Sequence, residues 1–198
     1  RIEHLEAQTV LDAGCGTGAF SRRWCAAGRR VTARELSEEM LAQARLNEAA
    51  QEYICGYIEA LPLPDASVDL VWSNLAVQWC SDLSRGLREL LRVTRPGGHV
   101  AFSTLCDGSL PEIRQAWQAV DSRPHTNRFL SERQIIDATG GQLLDYHCCV
   151  SPQASSRCQK QRACSLRCDN PQAVQPATAH NSPPFFRPQY PFRSQTSV

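Results

Sequence analysis

Three glycines at alternate positions, Gly14, Gly16 and Gly18 in the run VLDAGCGTG from Val10 to Gly18, are the residues of this chain best suited to holding a nucleotide-like ligand. Glycine permits backbone angles closed to other residues and removes the Cβ atoms that would keep a ligand at a distance. Asp12 lies just before the first of them, and Glu35 follows Gly14 by 21 residues, close to the spacing at which a carboxylate accepts hydrogen bonds from ribose hydroxyls. Glu35 is therefore the expected ribose clamp, with Leu36 beside it. A tight turn alone would also use three glycines, but it would not need the distant acid.

Such a loop must be positioned by a strand before it and a helix after it, the helix aiming its free N–H groups back at the loop. The run opens on a buried-strand pattern, and Ala19 to Ala27 supplies the helix, with Phe20, Trp24 and Ala27 at helical spacing and Gly28 as its stop. Val31 to Glu35 is the second strand. Ser37 caps a helix carrying Glu38 and Glu39 in its first turn, expected to run to about Ala50. Tyr53 to Cys55 and Val68 to Asn74 are the third and fourth strands, separated by the Pro-containing loop Leu61 to Ala66. Leu83, Leu87, Leu90 and Leu91 form an apolar helical stripe, and Arg95-Pro-Gly-Gly98 breaks that helix before a fifth strand, His99 to Leu105. Pro111 opens a helix with Ile113, Trp117 and Val120 on one face. Ser131 with Gln134 makes a capping box for a short helix stopped near Gly140, and Leu143 to His147 begins a sixth strand. This alternation predicts an α/β fold, a mostly parallel sheet with helices on both faces.

The 198 residues are enough for one domain with a real core. No run approaches the roughly 18 apolar residues of a membrane span, and no signal peptide opens the chain, so a cytoplasmic location and no membrane partner are expected. The first residue is Arg1, so an N-terminal segment is expected to be missing. The net charge of +1 conceals a split: residues 1–150 hold 15 arginines against 19 acids, and residues 151–198 six basic residues against one acid. An acidic body argues against a nucleic-acid partner. Cys15, Cys25, Cys55, Cys80 and Cys106 are scattered singly, as small core residues of a reducing compartment are. The five later cysteines lack C-x-x-C spacing, so no metal site is expected. Residues 151–198 hold seven of the twelve prolines and little apolar periodicity, a disordered composition. The expected division is a domain over 1–148 and an aberrant tail over 149–198, with the last strands of the sheet missing or degraded.

The dinucleotide fingerprint is G-x-G-x-x-G, whereas this chain reads G-x-G-x-G after Asp12, a spacing that resembles motif I of class I S-adenosylmethionine-dependent methyltransferases. The segment GYIEALPLP from Gly56 resembles that family's G-D-x-E-x-L-P pattern, with Tyr57 where the family carries Asp. The resemblance implies a Rossmann-like fold and S-adenosyl-L-methionine as cofactor. It places Asp12, Gly14, Gly16 and Gly18 around the methionine end, Glu35 and Leu36 at the ribose, Tyr57 and Ile58 at the adenine, and Asn74 as a further contact. A phenol accepts only weakly from an adenine amino group, so weakened affinity is expected, with the Ile58 N–H and the Tyr57 ring face left to act. Asp69, at the far end of its strand, reads as structural, and Trp79 as a core aromatic in preference to a substrate wall.

Three further segments resemble a narrower group, the malonyl-acyl-carrier-protein O-methyltransferases of biotin synthesis: SNLAVQWC from Ser73, GSLPEIRQAWQAVD from Gly108 and RPHTNRFL from Arg123. The likeness runs from residue 1 to about 147. It implies methylation of the free carboxylate of a malonyl thioester, with acyl carrier protein or coenzyme A as the carrier. A carboxylic acid ionises near or below about 3.9, so no general base is needed, and none of the usual nucleophile–base constellations is present. Arg128 and His125, with Arg123 behind them, are the candidates for orienting the carboxylate; solvated basic residues in a loop would look the same. The alternatives are another small-molecule methyltransferase, an inactive cofactor-binding remnant, and a nicotinamide enzyme. The oligomeric state is not legible.

Overall fold

β1 (Thr9–Ala13) carries Val10, Leu11 and Ala13 fully buried on both faces, as a central strand of a parallel sheet must be. The structure, a computed structural model, describes residues 5–121, 123, 125, 127–150 and 160–167. Within them β2 (Arg30–Glu35), β3 (Glu52–Cys55), β4 (Val68–Asn74) and β5 (Thr94–Leu105) extend the sheet in parallel register. The strand order is β3-β2-β1-β4-β5-β7-β6. All five parallel strands therefore end on one edge, where open α/β sheets bind ligands.

Successive side chains of a strand point to opposite faces, and the core divides accordingly. Val10, Val31 and Leu70 pack with Trp24 of α1 (Ala19–Ala26), while Ala33 packs with Leu41 and Ala44 of α2 (Glu38–Leu46). Leu11, Val71, Val100 and Phe102 pack instead with Leu87 and Leu90 of α3 (Leu83–Val93) and Ile135 of α5 (Glu132–Ala138). The expected stripe Leu83, Leu87, Leu90 and Leu91 is buried, and Ser131 and Gln134 form the expected reciprocal capping box. Helices cover both faces.

Several expectations differ in detail. α2 stops at Leu46 rather than near Ala50, because Glu48 adopts a positive φ and turns the chain so that Ala49 is buried against the glycine loop. The Arg95-Pro-Gly-Gly98 break is a register shift within β5, between the pairs Val68↔Thr94 and Leu70↔His99. Trp79 is not a core aromatic: it is 68% exposed. Ile113, Trp117 and Val120, around α4 (Pro111–Gln118), are exposed, and that helix buries no residue. Cys15 and Cys106 are buried, but Cys55 is exposed.

The largest difference lies at the end of the sheet, where the last strands were expected to be missing. β6 (Leu143–Val150) extends past residue 148, and Lys160–Arg167, inside the expected tail, is β7. It pairs antiparallel with β5 from His99↔Arg167 to Leu105↔Gln161 and with β6 on its other side. The unpaired N–H and C=O groups along β5 offer a template for a partner strand, a backbone feature that side-chain pattern does not reveal. Residues 151–159 and 168–198 of the expected tail lie outside the described residues.

Candidate functional site

The loop from β1 to α1 uses its three glycines in two different ways. Gly14 and Gly18 have φ of +87° and +86°, and a Cβ on either would lie 2.1 Å from Ala76 Cβ or 2.2 Å from Ala49 Cβ. They are glycines because neighbouring loops pack on them. Gly16, at φ +56°, would place a Cβ in open space, so its lack of a side chain keeps room at the front of the loop. The loop is pinned from behind by the Arg34 carbonyl, which accepts from Gly14 N at 2.7 Å and Cys15 N at 2.9 Å.

Asp12 faces the helix rather than this opening. Its carboxylate is 2% exposed and accepts from Ser21 Oγ of α1 at 2.6 Å. Burial pushes its pKa up from 3.8 to about 6, against the lowering effect of the Ser21 hydrogen bonds. It ties β1 to α1 beneath the loop.

Glu35 ends β2 at the loop's front. Its Oε2 accepts from Gly16 N at 2.9 Å, and its Oε1 from Leu36 N at 2.8 Å and Ser37 N at 3.1 Å. Ser37 in turn caps α2 through Met40 N. Leu36 is half exposed beside this carboxylate.

The next parallel strand brings in the segment after β3. Gly56 N donates to the Glu35 carbonyl at 2.9 Å, so the chain enters Tyr57 and Ile58 directly beside the clamp. The Tyr57 side chain is 63% exposed, and Ile58 packs partly against the core. Charged side chains hold this loop from three sides. Glu59 accepts from Ser81 Oγ at 2.7 Å and Asp82 N at 2.8 Å; Glu89 accepts from Leu61 N at 2.8 Å; Arg92 donates to the carbonyls of Leu61 and Leu63, each at 2.9 Å. The Arg92–Glu89 and Arg92–Asp65 contacts hold that guanidinium well above its ordinary value. On the inner side stands Arg34, 2% exposed, whose Nε donates to the Tyr57 carbonyl at 3.0 Å and whose Nη2 donates to the carbonyls of Tyr57 and Ala60. The sequence pattern passed over Arg34; the signal available was a basic residue at an inward position of an otherwise buried strand.

β4 delivers Asn74 to the same edge, where its Oδ1 accepts from Ser103 Oγ at 2.7 Å, joining β4 to β5. At the opposite end Asp69 accepts from Thr9 N, Thr9 Oγ1 and Arg95, the expected structural role. Gly14, Gly16, Glu35, Leu36, Tyr57, Ile58 and Asn74 thus lie along one strand-end edge. The open front of Gly16, a carboxylate with acceptor capacity and a loop backbone beside it fit the ribose and adenine of an S-adenosylmethionine-type molecule.

A cavity of about 380 Å³ opens beyond β4 and β5, lined by Val77, Cys80, Leu83, Thr104, Phe129 and Ile135 among others. Arg128 lines it, and no other cation does among the described residues. His125 and Arg123 do not. His125 Nε2 lies 2.7 Å from Asp121 Oδ1, and its ring stacks on Trp117 with centroids 4.1 Å apart. Asp121 also accepts from Arg123 N at 2.8 Å. The structure sets Arg128 apart from His125 and Arg123, which share Asp121.

Residues 11–102 match the family model described as a methyltransferase domain. The chain is 62% identical over 129 residues to the malonyl-[acyl-carrier protein] O-methyltransferase of Pseudescherichia vulneris, covering 65% of this chain and 51% of that protein. It is 59% identical over 146 residues to the protein of that name from Erwinia pyrifoliae, covering 72% and 56%. The chain spans about half the length of the curated relatives it matches. Among solved structures it is similar in fold to a SAM-dependent methyltransferase of Methanosarcina mazei, at TM-score 0.64 and 15% identity over 82% of this chain and 93% of that one. A second, an S-adenosylmethionine dependent methyltransferase of Mesorhizobium loti, gives 0.60 and 23% over 80% and 90%.

Proposed function

We propose that this chain, whose residues 11–102 match the methyltransferase-domain model, transfers a methyl group from S-adenosylmethionine to the free carboxylate of a malonyl thioester. The observation that carries the substrate is the likeness to proteins named for that activity. It runs over 129 residues, farther than the domain segment 11–102, and so includes chain outside the cofactor half.

When bound, S-adenosylmethionine supplies a methyl group activated by a sulfonium leaving group. Glu35 would accept from the ribose beside Gly16, Leu36 would flank it, the Ile58 N–H and the Tyr57 ring would meet the adenine, and Asn74 would border the methyl end. Asp12, Gly14 and Gly18 hold the loop in shape. The acceptor needs no base, because a carboxylic acid is ionised at neutral pH; what it needs is alignment and exclusion of water. Arg128 is placed to orient it with a forked cation, in a cavity lined by both apolar residues such as Val77 and Ile135 and polar ones such as Asp82 and Thr104. Methylation masks the acid's charge, so that enzymes built for uncharged acyl chains can elongate it, the role implied for biotin synthesis. An acyl carrier protein is the carrier named in the relatives, and a cytoplasmic location goes with that role.

The test is transfer of labelled methyl from S-adenosylmethionine to malonyl-acyl carrier protein and malonyl-coenzyme A. A base-labile methyl ester is expected. Label found only on a phenol, amine or sterol would refute the carboxylate reading. Calorimetry showing no binding of S-adenosylhomocysteine would make the chain a remnant.

A further inference from the structure

Arg34 is a buried cation with no carboxylate in direct contact among the described residues, Glu89 acting on it only from a distance. Its Nη1 is buried with no hydrogen-bond partner. Burying a guanidinium this way is expensive, so its other contacts must return a specific benefit. Those contacts are all to one feature. Nε and Nη2 converge on the Tyr57 carbonyl, and Nη2 also reaches the Ala60 carbonyl at 2.9 Å. The loop is shaped to receive them: a Cβ on Gly56 would lie 2.7 Å from Arg34 Nη2.

The loop so held presents no carboxylate at position 57, where the Tyr57 side chain is 63% exposed. The loop backbone runs beside the end of the Glu35 strand, where Gly56 N donates to the Glu35 carbonyl. The Ile58 N–H meets no acceptor among the described residues, and Tyr57, whose carbonyl Arg34 holds, is the residue immediately before it. Fixing that peptide fixes the direction of the next N–H.

We infer that Arg34 is a positioning residue for base recognition: its fork on the Tyr57 and Ala60 carbonyls sets the 56–60 backbone so that adenine is read by main-chain groups rather than by a side-chain carboxylate. The inference rests on the cofactor reading above. It also assigns a reason for the close approach at Gly56, which a plain turn does not require. A hydrogen-bonding edge read by fixed main-chain groups distinguishes adenine from hypoxanthine, whose donor and acceptor are exchanged at the N1 and C6 positions.

The experiment is calorimetric titration of the full chain, Arg34→Leu and Arg34→Lys with S-adenosylhomocysteine and with S-inosylhomocysteine. The unmodified chain should prefer the adenine compound. Arg34→Leu should weaken its binding about tenfold or more and lower the preference ratio, since hydrogen bonds to a charged group carry that much. Arg34→Lys, which keeps the charge and loses the fork, should fall between and serves if the leucine variant fails to fold. Amide exchange across 56–60 should accelerate in the variants. Equal weakening toward both nucleosides, with the ratio intact, would reduce Arg34 to a stabilising residue and overturn the inference alone. No binding of either compound by the unmodified chain would overturn the cofactor reading, and this inference with it.

Discussion

The Glu35 carboxylate at the end of β2 accepts the Gly16 N–H at 2.9 Å, bridging the tips of two neighbouring strands. Its other oxygen takes the N–H groups of Leu36 and Ser37. A carboxylate has about four acceptor positions, so three main-chain donors leave capacity mainly on Oε2. The clamp inferred from spacing is thus also the group that holds the glycine loop against α2. On the proposed function, one ribose hydroxyl would be accepted there without displacing a backbone bond.

Glu35→Gln removes one acceptor oxygen and turns an NH2 group toward a main-chain N–H on whichever side it faces. Loss of a charge-assisted bond with a donor–donor clash should weaken S-adenosylhomocysteine binding by about 10- to 100-fold. Calorimetric titration checks this. Unchanged affinity would place the ribose elsewhere.

Substituting the glycines should separate binding from folding. Gly16→Ala meets only backbone strain, on the order of 1–2 kcal/mol at positive φ, because no atom lies within 4 Å of the added Cβ. Its methyl group occupies the approach to the loop, so affinity should fall more than stability does. Gly18→Ala must push Ala49 away from 2.2 Å, so melting temperature should fall first. The reverse ranking in thermal unfolding and titration would contradict the assignment of Gly16 as the ligand-facing glycine.

These residues also show what sequence reveals and what it hides. The fourth strand, Val68–Asn74, and the box of Ser131 and Gln134 agree with expectation to the residue, because each is set by neighbours a few positions away. Glu35 was legible because a βαβ unit has a nearly fixed length. Arg34 was not, since its partner carbonyl lies 23 residues on and only packing reveals the pairing. β7 was hidden for a similar reason: Lys160–Arg167 has no apolar alternation, and its strand character comes from the open side of β5. Trp79 misled because aromatic type is a weak guide to burial when a loop turns outward.

Asp12 gives a pH-dependent prediction. Its folded pKa of about 6 exceeds the ordinary value of 3.8, so the folded chain holds this proton more tightly than the unfolded chain. Stability from this group is greatest at low pH, declines as pH rises from about 3.8 to about 6, and is flat above, a span on the order of 3 kcal/mol. Asp12→Asn keeps an acceptor for Ser21 Oγ and removes the buried charge. It should melt higher than the unmodified chain at pH 8, with the gap narrowing toward pH 5. A variant that melts lower at pH 8 would show that the ionised form is the favoured one.

Arg128 and His125 differ in what already occupies them, and their substitutions should differ accordingly. The His125 ring is committed to Asp121 and Trp117, so His125→Ala should change local stability and leave methyl transfer nearly intact. Arg128 lines the cavity beside Val77 and Thr104, at the carboxyl ends of β4 and β5 where the acceptor must meet the cofactor edge. Arg128→Ala should lower kcat/KM for a malonyl thioester by about tenfold, a modest figure because the side chain is partly solvated, while S-adenosylhomocysteine affinity stays unchanged. Arg128→Lys should recover part of the loss, a point charge replacing a fork. If His125→Ala instead carries the larger loss, the acceptor lies on the α4 side, and the cavity beside α3 and α5 is not its site.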